Sequence, residues 1–210
     1  MTTQPTSAAP ASPAPAPRAL TPRTLTAGEL LLRPLAEGDE PAVAEALRDA
    51  EILRWAAGRA VTGAPQAERG RRWLEPRLAG WASGNAWFAV TEAEQGLLLG
   101  ALSVREVDRL PDQAVVTYWV APSARGRGIA AKALEAAAGW AFTGVAQGGL
   151  GLHRITLDHA LLNTASCAVA TRAGFRTEGT MRDYYVDTTG LRHDSHLHAR
   201  LATDALTPAA

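Results

Sequence analysis

The sequence predicts an α/β domain on a single, partly antiparallel sheet, and three observations carry that prediction. Apolar runs with strand character are interleaved with segments of helical spacing, in the order β-α-α-β-β-β-α-β-α-β-β. Three of the strand runs follow one another directly, "AWFAVT", "LLLGALSVREV" and "AVVTYWVA", with "RLPDQ" as the turn between the last two. The chain has 210 residues, 47% of them hydrophobic, enough for one sizeable core.

Each element has its own signal. "GELLLRPL" reads as a strand stopped by Pro34. "EGDEPAVAEALRDAEI" opens with acidic residues and carries Val43, Ala46 and Leu47 at helical spacing, so one helix is expected there. Residues 54–65 read as a loop. "QAERGRRWLEPRLAGWA" places Trp73, Leu74, Leu78 and Trp81 on one helical face, with Pro76 near a bend or break. After the three strands comes a Gly/Ala-rich helix from Arg127 to about Phe142, and then the loop "VAQGGLGL". "HRITLDHAL" is a strand, and "TASCAVATRAG" is a helix stopped by Gly174. "FRTEGTMRDYYVD", "TTG" and "LRHDSHLHARL" make a closing strand hairpin.

Composition excludes several classes. The formal net charge is zero, which argues against a general nucleic-acid binder. No run approaches the roughly 18 apolar residues of a membrane span. The single cysteine, Cys167, cannot form an internal disulfide, so a cytoplasmic protein is expected. Residues 1–20 are Pro/Ala-rich and lack the charged start and apolar centre of a secretory signal, so a disordered tail is expected there. The folded domain is expected over 21–203, with a short tail at 204–210.

The strand "TYWVA" runs into "PSARGRGIAAKALEAAAGWAF", a turn rich in glycine and arginine that opens a helix. A helix start offers backbone N–H groups without intrahelical partners and partial positive charge. Glycines let a ligand approach the backbone, so the turn suits phosphate oxygens. Arg125 and Arg127 add charge and forked donors. A plain tight turn would show the same glycines. Two rival phosphate loops fit poorly: the lone lysine, Lys132, lies inside the helix and is followed by alanine, and the third glycine of a dinucleotide fingerprint falls on Ala131.

Arg125-Gly126-Arg127-Gly128-Ile129-Ala130 resembles the pyrophosphate loop of the GCN5-related N-acetyltransferases, Arg/Gln-x-x-Gly-x-Gly/Ala. "TYWVAPSA" before it and "NTASCAVATRAGFRTEGTMRD" after it resemble the ribosomal-protein (RimJ/RimL-type) branch, and "LRPL" and "HARL" fit at the two ends. The resemblance covers roughly residues 30–201. It implies a single GNAT-type domain: α/β, a mixed and mostly antiparallel sheet with splayed central strands, and helices on both faces. The loop around Arg125, Gly126, Arg127, Gly128, Ile129 and Ala130 would hold the pyrophosphate of acetyl-CoA. The strand ending at Trp119 and Val120 would pair with the pantetheine amides. Asn163 would hydrogen-bond the pantetheine arm, although asparagine is also a preferred helix N-cap.

The implied reaction is direct acetyl transfer to a primary amine in a ternary complex, with a protein N-terminal α-amine as the preferred acceptor. A small amine, or a non-catalytic acyl-CoA-binding module, is the alternative. Many members use a tyrosine acid seven residues after the asparagine; that position is Ala170 here. The branch places a serine three residues after it, so Ser166 is the candidate donor to the CoA sulfur, against a first-turn serine bonding its own backbone. The base is open between the segment around Tyr185, with Asp183 and Tyr184 beside it, and the strand end at Asp158 and His159, where His159 reads more readily as a solvent-facing histidine. Cys167 reads as core filler with no histidine partner. His193, His196 and His198 invite a metal reading, but with no cysteine and no clear third ligand beside the His196/His198 pair, zinc is rejected and no metal is expected. The acceptor region is expected at residues 51–65, including Arg54, Trp55 and Arg59, and at the closing hairpin. Neither nucleic acid nor a membrane is an expected partner, and the reading leaves room for a homodimer.

Overall fold

Eight strands form one open sheet in the computed structural model, which describes residues 18–204. In spatial order they are β1 (Leu25–Ala27), β2 (Leu30–Pro34), β3 (Ala86–Glu92), β4 (Leu98–Arg105), β5 (Gln113–Val120), β6 (Arg154–Ala160), β8 (Arg192–Leu201) and β7 (Arg176–Val186). Every neighbouring pair is antiparallel except β5 and β6. That exception requires a crossover, which α5 (Ile129–Phe142) supplies.

The strand alternation fixes two hydrophobic layers. Phe88 and Val90 on β3, Leu102 and Val104 on β4, and Val116 on β5 face one way, against Leu134, Ala137 and Ala138 of α5 and Ala170 of α6 (Thr164–Arg172). Ala89, Ala101 and Trp119 face the other way. They pack on α1 (Glu40–Ala46), α2 (Ala50–Trp55) and α4 (Gln66–Leu78) through Val43, Leu47, Ile52, Trp73 and Leu74. The expected helices on both faces are present.

Three local expectations change. The single helix expected at 37–52 is two, because Asp49 is extended (ψ 127°) and its carboxylate accepts from the Ile52 N–H at 2.9 Å, starting α2 as an N-cap. The expected loop at 54–65 contains the short helix α3 (Arg59–Thr62). A strand not expected, β1, folds back on β2 through Gly28, which takes φ +61°. Pro76 stands in the last turn of α4, where the expected break falls, so the helix ends two residues later and Trp81 lies beyond it, in the core layer opposite Trp73 and Leu74.

Most of the two expected tails lies outside the described residues. Of the part described, Leu20 is buried in the core and its N–H donates to the Trp81 carbonyl at 2.8 Å, while Arg18 pairs with Asp108 at 3.1 Å. The packed chain therefore includes Arg18, Ala19 and Leu20. Among the described residues no helix is long and apolar enough to cross a membrane.

One topological detail positions the site. β5 and β6 are in register only at Gln113↔Arg154, Ala114↔Ile155 and Val115↔Thr156. Beyond those three pairs the strands part, and the expected splay is present.

Candidate active site

A cavity of about 800 Å³ opens where β5 and β6 separate. Its volume is in the range of small-molecule sites. Trp119, Val120, Arg125, Gly126, Gly128, Ile129, Ala130, Asn163 and Ser166 all line it. Of the candidates for acetyl-CoA and for the acid, Arg127 alone does not.

At one end lies the glycine turn. Gly126 and Gly128 take φ +77° and +73°, conformations that favour glycine. Gly128 is the N-cap of α5 and has no side chain to cap it, so the first-turn N–H groups of α5 face the cavity mouth without a side-chain partner. A Cβ on Gly126 would meet nothing within 4 Å, and one on Gly128 only Arg172 Nη1 at 3.9 Å. That open space above donor amides fits a diphosphate. Both arginines of the turn are paired with carboxylates. Arg125 forks onto Asp49 at 2.6 and 3.2 Å, and Arg127 reaches Glu92 at 2.8 Å. Both pairs are solvent-exposed and thus weak, so an incoming phosphate can displace them at little cost.

At the gap between the strands sits a hydroxyl pair. Tyr118 Oη is 2.8 Å from Ser166 Oγ and 3.2 Å from the Ser166 carbonyl. Burial pushes the Tyr118 phenol up to about 12, so it is protonated at any working pH. When its O–H donates to Ser166, the serine O–H is free to donate into the cavity. Asn163 caps α6, with Oδ1 accepting from the Ser166 N–H at 3.2 Å. Asn163 therefore holds the cap, Ser166 contributes only its backbone N–H to it, and the asparagine NH₂ remains as a donor beside the cavity. Tyr118 escaped the sequence reading; Ala170, where the family tyrosine would stand, is fully buried.

The three base candidates separate. Asp158 lines the cavity on the diverging part of β6, and burial raises its pKa despite Arg105 and His159 nearby. His159 is buried rather than solvent-facing: its Nδ1 donates to the Ala160 carbonyl at 2.9 Å, and its Nε2 faces His198 Nε2 at 3.1 Å. Tyr185 lines the cavity with its O–H committed to the Arg54 carbonyl at 2.9 Å. Asp183 and Tyr184 are exposed, on a bulged stretch of β7.

The far mouth joins α2 to the closing hairpin. Trp55 packs on Tyr185 and His193, with ring centroids 5.5 and 5.8 Å apart. Asp187 anchors the hairpin turn, accepting from the Thr189 and Leu191 N–H groups, the Thr189 hydroxyl and His193 Nε2, with Arg54 at 3.5 Å. These contacts hold its carboxyl far below the usual carboxylate range. Deeper in, Arg77 stacks between Trp73 and Trp87, and Arg105 lies beyond Trp87. The Nε atoms of Arg77 and Arg105 and the indole N–H groups of Trp73 and Trp119 are buried without partners, and all four residues line the cavity. Burial, then the neighbouring Arg105, brings Arg77 down to about 10.

The expectation that the His196/His198 pair has no cysteine and no third ligand beside it is corrected. Cys167 Sγ lies 3.9 Å from both His196 Nδ1 and His198 Nε2, so the cysteine has histidine neighbours and the histidine pair has a cysteine. His193 stands apart, bound to Asp187.

Known proteins share this architecture. Residues 29–176 match the family model described as "Acetyltransferase (GNAT) domain". A Bacillus subtilis protein named "Putative ribosomal N-acetyltransferase YdaF" is 35% identical over 100 residues, 47% of this chain; the match spans about half of that relative's length, 51%. A GNAT-family acetyltransferase structure from Bacillus anthracis superposes with a TM-score of 0.72 at 21% identity, covering 87% of this chain and all of the other. Mycobacterium smegmatis RimJ, solved in complex with CoA-disulfide, gives 0.69 at 27% identity, covering 89% of this chain and 88% of its own. The chain belongs to the GNAT acetyltransferase family.

Proposed function

We propose that this protein transfers an acetyl group from acetyl-CoA to a primary amine, with a polypeptide N-terminal α-amine as the preferred acceptor. The observation that carries this reading is the alignment, along one cavity, of the uncapped start of α5, the gap between β5 and β6, and the Tyr118–Ser166 pair.

The diphosphate sits on the amides that follow Gly128, and the pantetheine arm runs along the unpaired edge of β5 past the Asn163 amide. This brings the thioester to Ser166. The acceptor enters from the side of α2 and the closing hairpin. Asp158, directly or through a water, takes a proton from the ammonium form of the acceptor. The amine lone pair then attacks the thioester carbon, a C–N bond forms and the C–S bond breaks. The departing sulfur receives a hydrogen bond from the Ser166 O–H, and the second amine proton completes the CoA thiol. Two guanidinium groups without a carboxylate partner, Arg77 and Arg105, suit an acceptor that carries a carboxylate near its amine, as an N-terminal segment with an acidic residue does.

Incubating the full chain with isotopically labelled acetyl-CoA, a library of peptides with free N-termini and a panel of small amines tests the reading. Mass spectrometry should find the label on peptide α-amines, most of all on peptides with an early acidic residue. Label on small amines alone would overturn the acceptor assignment. Binding of acetyl-CoA without label on any amine would make the protein a non-catalytic acyl-CoA-binding module.

A further inference from the structure

The central feature is a cluster of three imidazoles and one thiol on the sheet face beneath α6. His159 on β6 pairs directly with His196 on β8, and His198 follows two residues later on the same face. Cys167, in the first turns of α6, closes the group from above. One ligand atom from each of the four residues lies within 4.8 Å of all the others. None of these residues has an assigned role in acetyl transfer. His159 and His198 are buried, and His196 and Cys167 are half-buried.

We infer that His159, Cys167, His196 and His198 bind one zinc ion as a closed, tetrahedral structural site. The donor set, one thiolate and three imidazoles, is of the type that suits zinc. Zinc bonded at its usual lengths to nitrogen and sulfur requires donor–donor edges of about 3.3–3.6 Å. The observed separations are 3.1 Å between His159 Nε2 and His198 Nε2, and 3.9 Å from Cys167 Sγ to His196 Nδ1 and to His198 Nε2. These three edges lie within a few tenths of an ångström of the required lengths, and the other three lie within 4.8 Å, so the side chains draw in around the ion.

The surroundings present the right lone pairs. The Nδ1 proton of His159 is held by the Ala160 carbonyl, which leaves Nε2 unprotonated and aimed at the centre of the cluster. Thr177 Oγ1 stands 3.3 Å from His198 Nδ1 and can accept its proton, leaving His198 Nε2 aimed at the same point. With both histidines in these tautomers, two lone pairs face each other at 3.1 Å, and a cation between them turns their repulsion into two bonds.

Four protein ligands leave no open position, so the ion acts as a clamp and not as a Lewis acid. It ties α6 to β6 and β8, and thereby fixes the residue next to Cys167, which is Ser166. The site stands on geometry independent of the acetyl-transfer reading, and its test does not use turnover.

The test uses the full chain without a polyhistidine tag. Elemental analysis of protein purified without chelator should find about one zinc per chain. Protein stripped by a chelator and titrated with cobalt(II) should show the visible bands of a tetrahedral ion and a near-ultraviolet thiolate charge-transfer band. Cys167→Ala, at a half-buried position, should fold, lose the charge-transfer band and bind zinc at least tenfold more weakly, by the effect expected for losing a ligand. In the wild type, alkylation of Cys167 should be at least tenfold faster after stripping than with zinc restored, because a bound thiolate is protected. A folded wild type that binds neither zinc nor cobalt, or a Cys167→Ala variant with undiminished zinc affinity, would overturn the inference. Should the variant fail to fold, the alkylation rates of the wild type decide: equal rates with and without zinc would also overturn it.

Discussion

Tyr118 on β5 and Ser166 on α6 meet through their hydroxyls at 2.8 Å, across the gap where β5 and β6 part. The contact makes the two residues a unit: with the phenol as donor, the serine proton is left to point into the cavity. Ser166→Ala should lower kcat by about tenfold to a thousandfold, with acetyl-CoA affinity nearly unchanged. Tyr118→Phe should lower kcat in the same direction by a smaller factor, and the double variant should lose less than the product of the two. Steady-state kinetics with affinity measured by calorimetry checks this. Because the α6 cap belongs to Asn163, thermal stability of Ser166→Ala should stay close to that of the wild type.

Asp158 has a pKa raised by burial and acts as a base only when deprotonated. Activity should therefore rise with pH through a limb lying above the ordinary carboxylate range, and be lost as pH falls through it. The kcat/KM profile of the wild type should show that limb, and Asp158→Asn should remove it along with most of the rate.

In the proposed reading, Gly128 admits the diphosphate of acetyl-CoA by having no side chain. Gly128→Glu would place a carboxylate in that space and requires a residue with a Cβ to hold φ +73°. Acetyl-CoA binding should be abolished. Gly128→Asn, whose side chain tolerates that conformation, should fold and bind measurably less tightly. Calorimetry on both variants, with circular dichroism to confirm folding, tests the placement of the diphosphate.

Arg105 Nε is buried without a hydrogen-bond partner among the described residues. Arg105→Gln should raise KM for peptides with an early acidic residue by about tenfold, the order of one charge-assisted hydrogen bond. Neutral peptides should change little. Equal changes for both peptide classes would remove Arg105 from acceptor recognition.

Asp187 holds the hairpin turn through hydrogen bonds that favour its charged form. A carboxylate with a depressed folded pKa contributes stability that is present above its unfolded value of about 4 and is lost as pH falls toward the folded one. Asp187→Asn should lower Tm at pH 7, and the difference from wild type should shrink in acid. Thermal melts at the two pH values measure it.

The sequence was most legible where function depends on the backbone. The succession of strands from β2 onward and the turn at Gly126 and Gly128 follow from local patterns, and so does the cap at Asn163. It was least legible where side chains meet across elements. Tyr118 and Ser166 are 48 residues apart. Asp49 and Glu92 take up Arg125 and Arg127 from 76 and 35 residues away. The histidine and cysteine cluster draws on three elements, and its only local sign is the spacing of His196 and His198 on one strand face. The break between α1 and α2 was within reach, since Asp49 followed by "AEI" is an N-cap pattern.

The three-residue pairing of β5 with β6 has a consequence for association as well as for catalysis. From Val116 onward, β5 has an unpaired flank inside the molecule, the kind of row of donors and acceptors that at the rim of a sheet recruits foreign strands and seeds aggregates. Proteins usually guard such a row with charges or proline. Here the protection comes from position: the flank lies in a cleft, with Tyr118 reaching across to α6. An arm carrying amides can lie alongside it, whereas a second polypeptide strand would need the sheet to open. Protection from foreign strands and the proposed seating of acetyl-CoA thus rest on the same narrow cleft, and a variant that loosens α6 should lose both together.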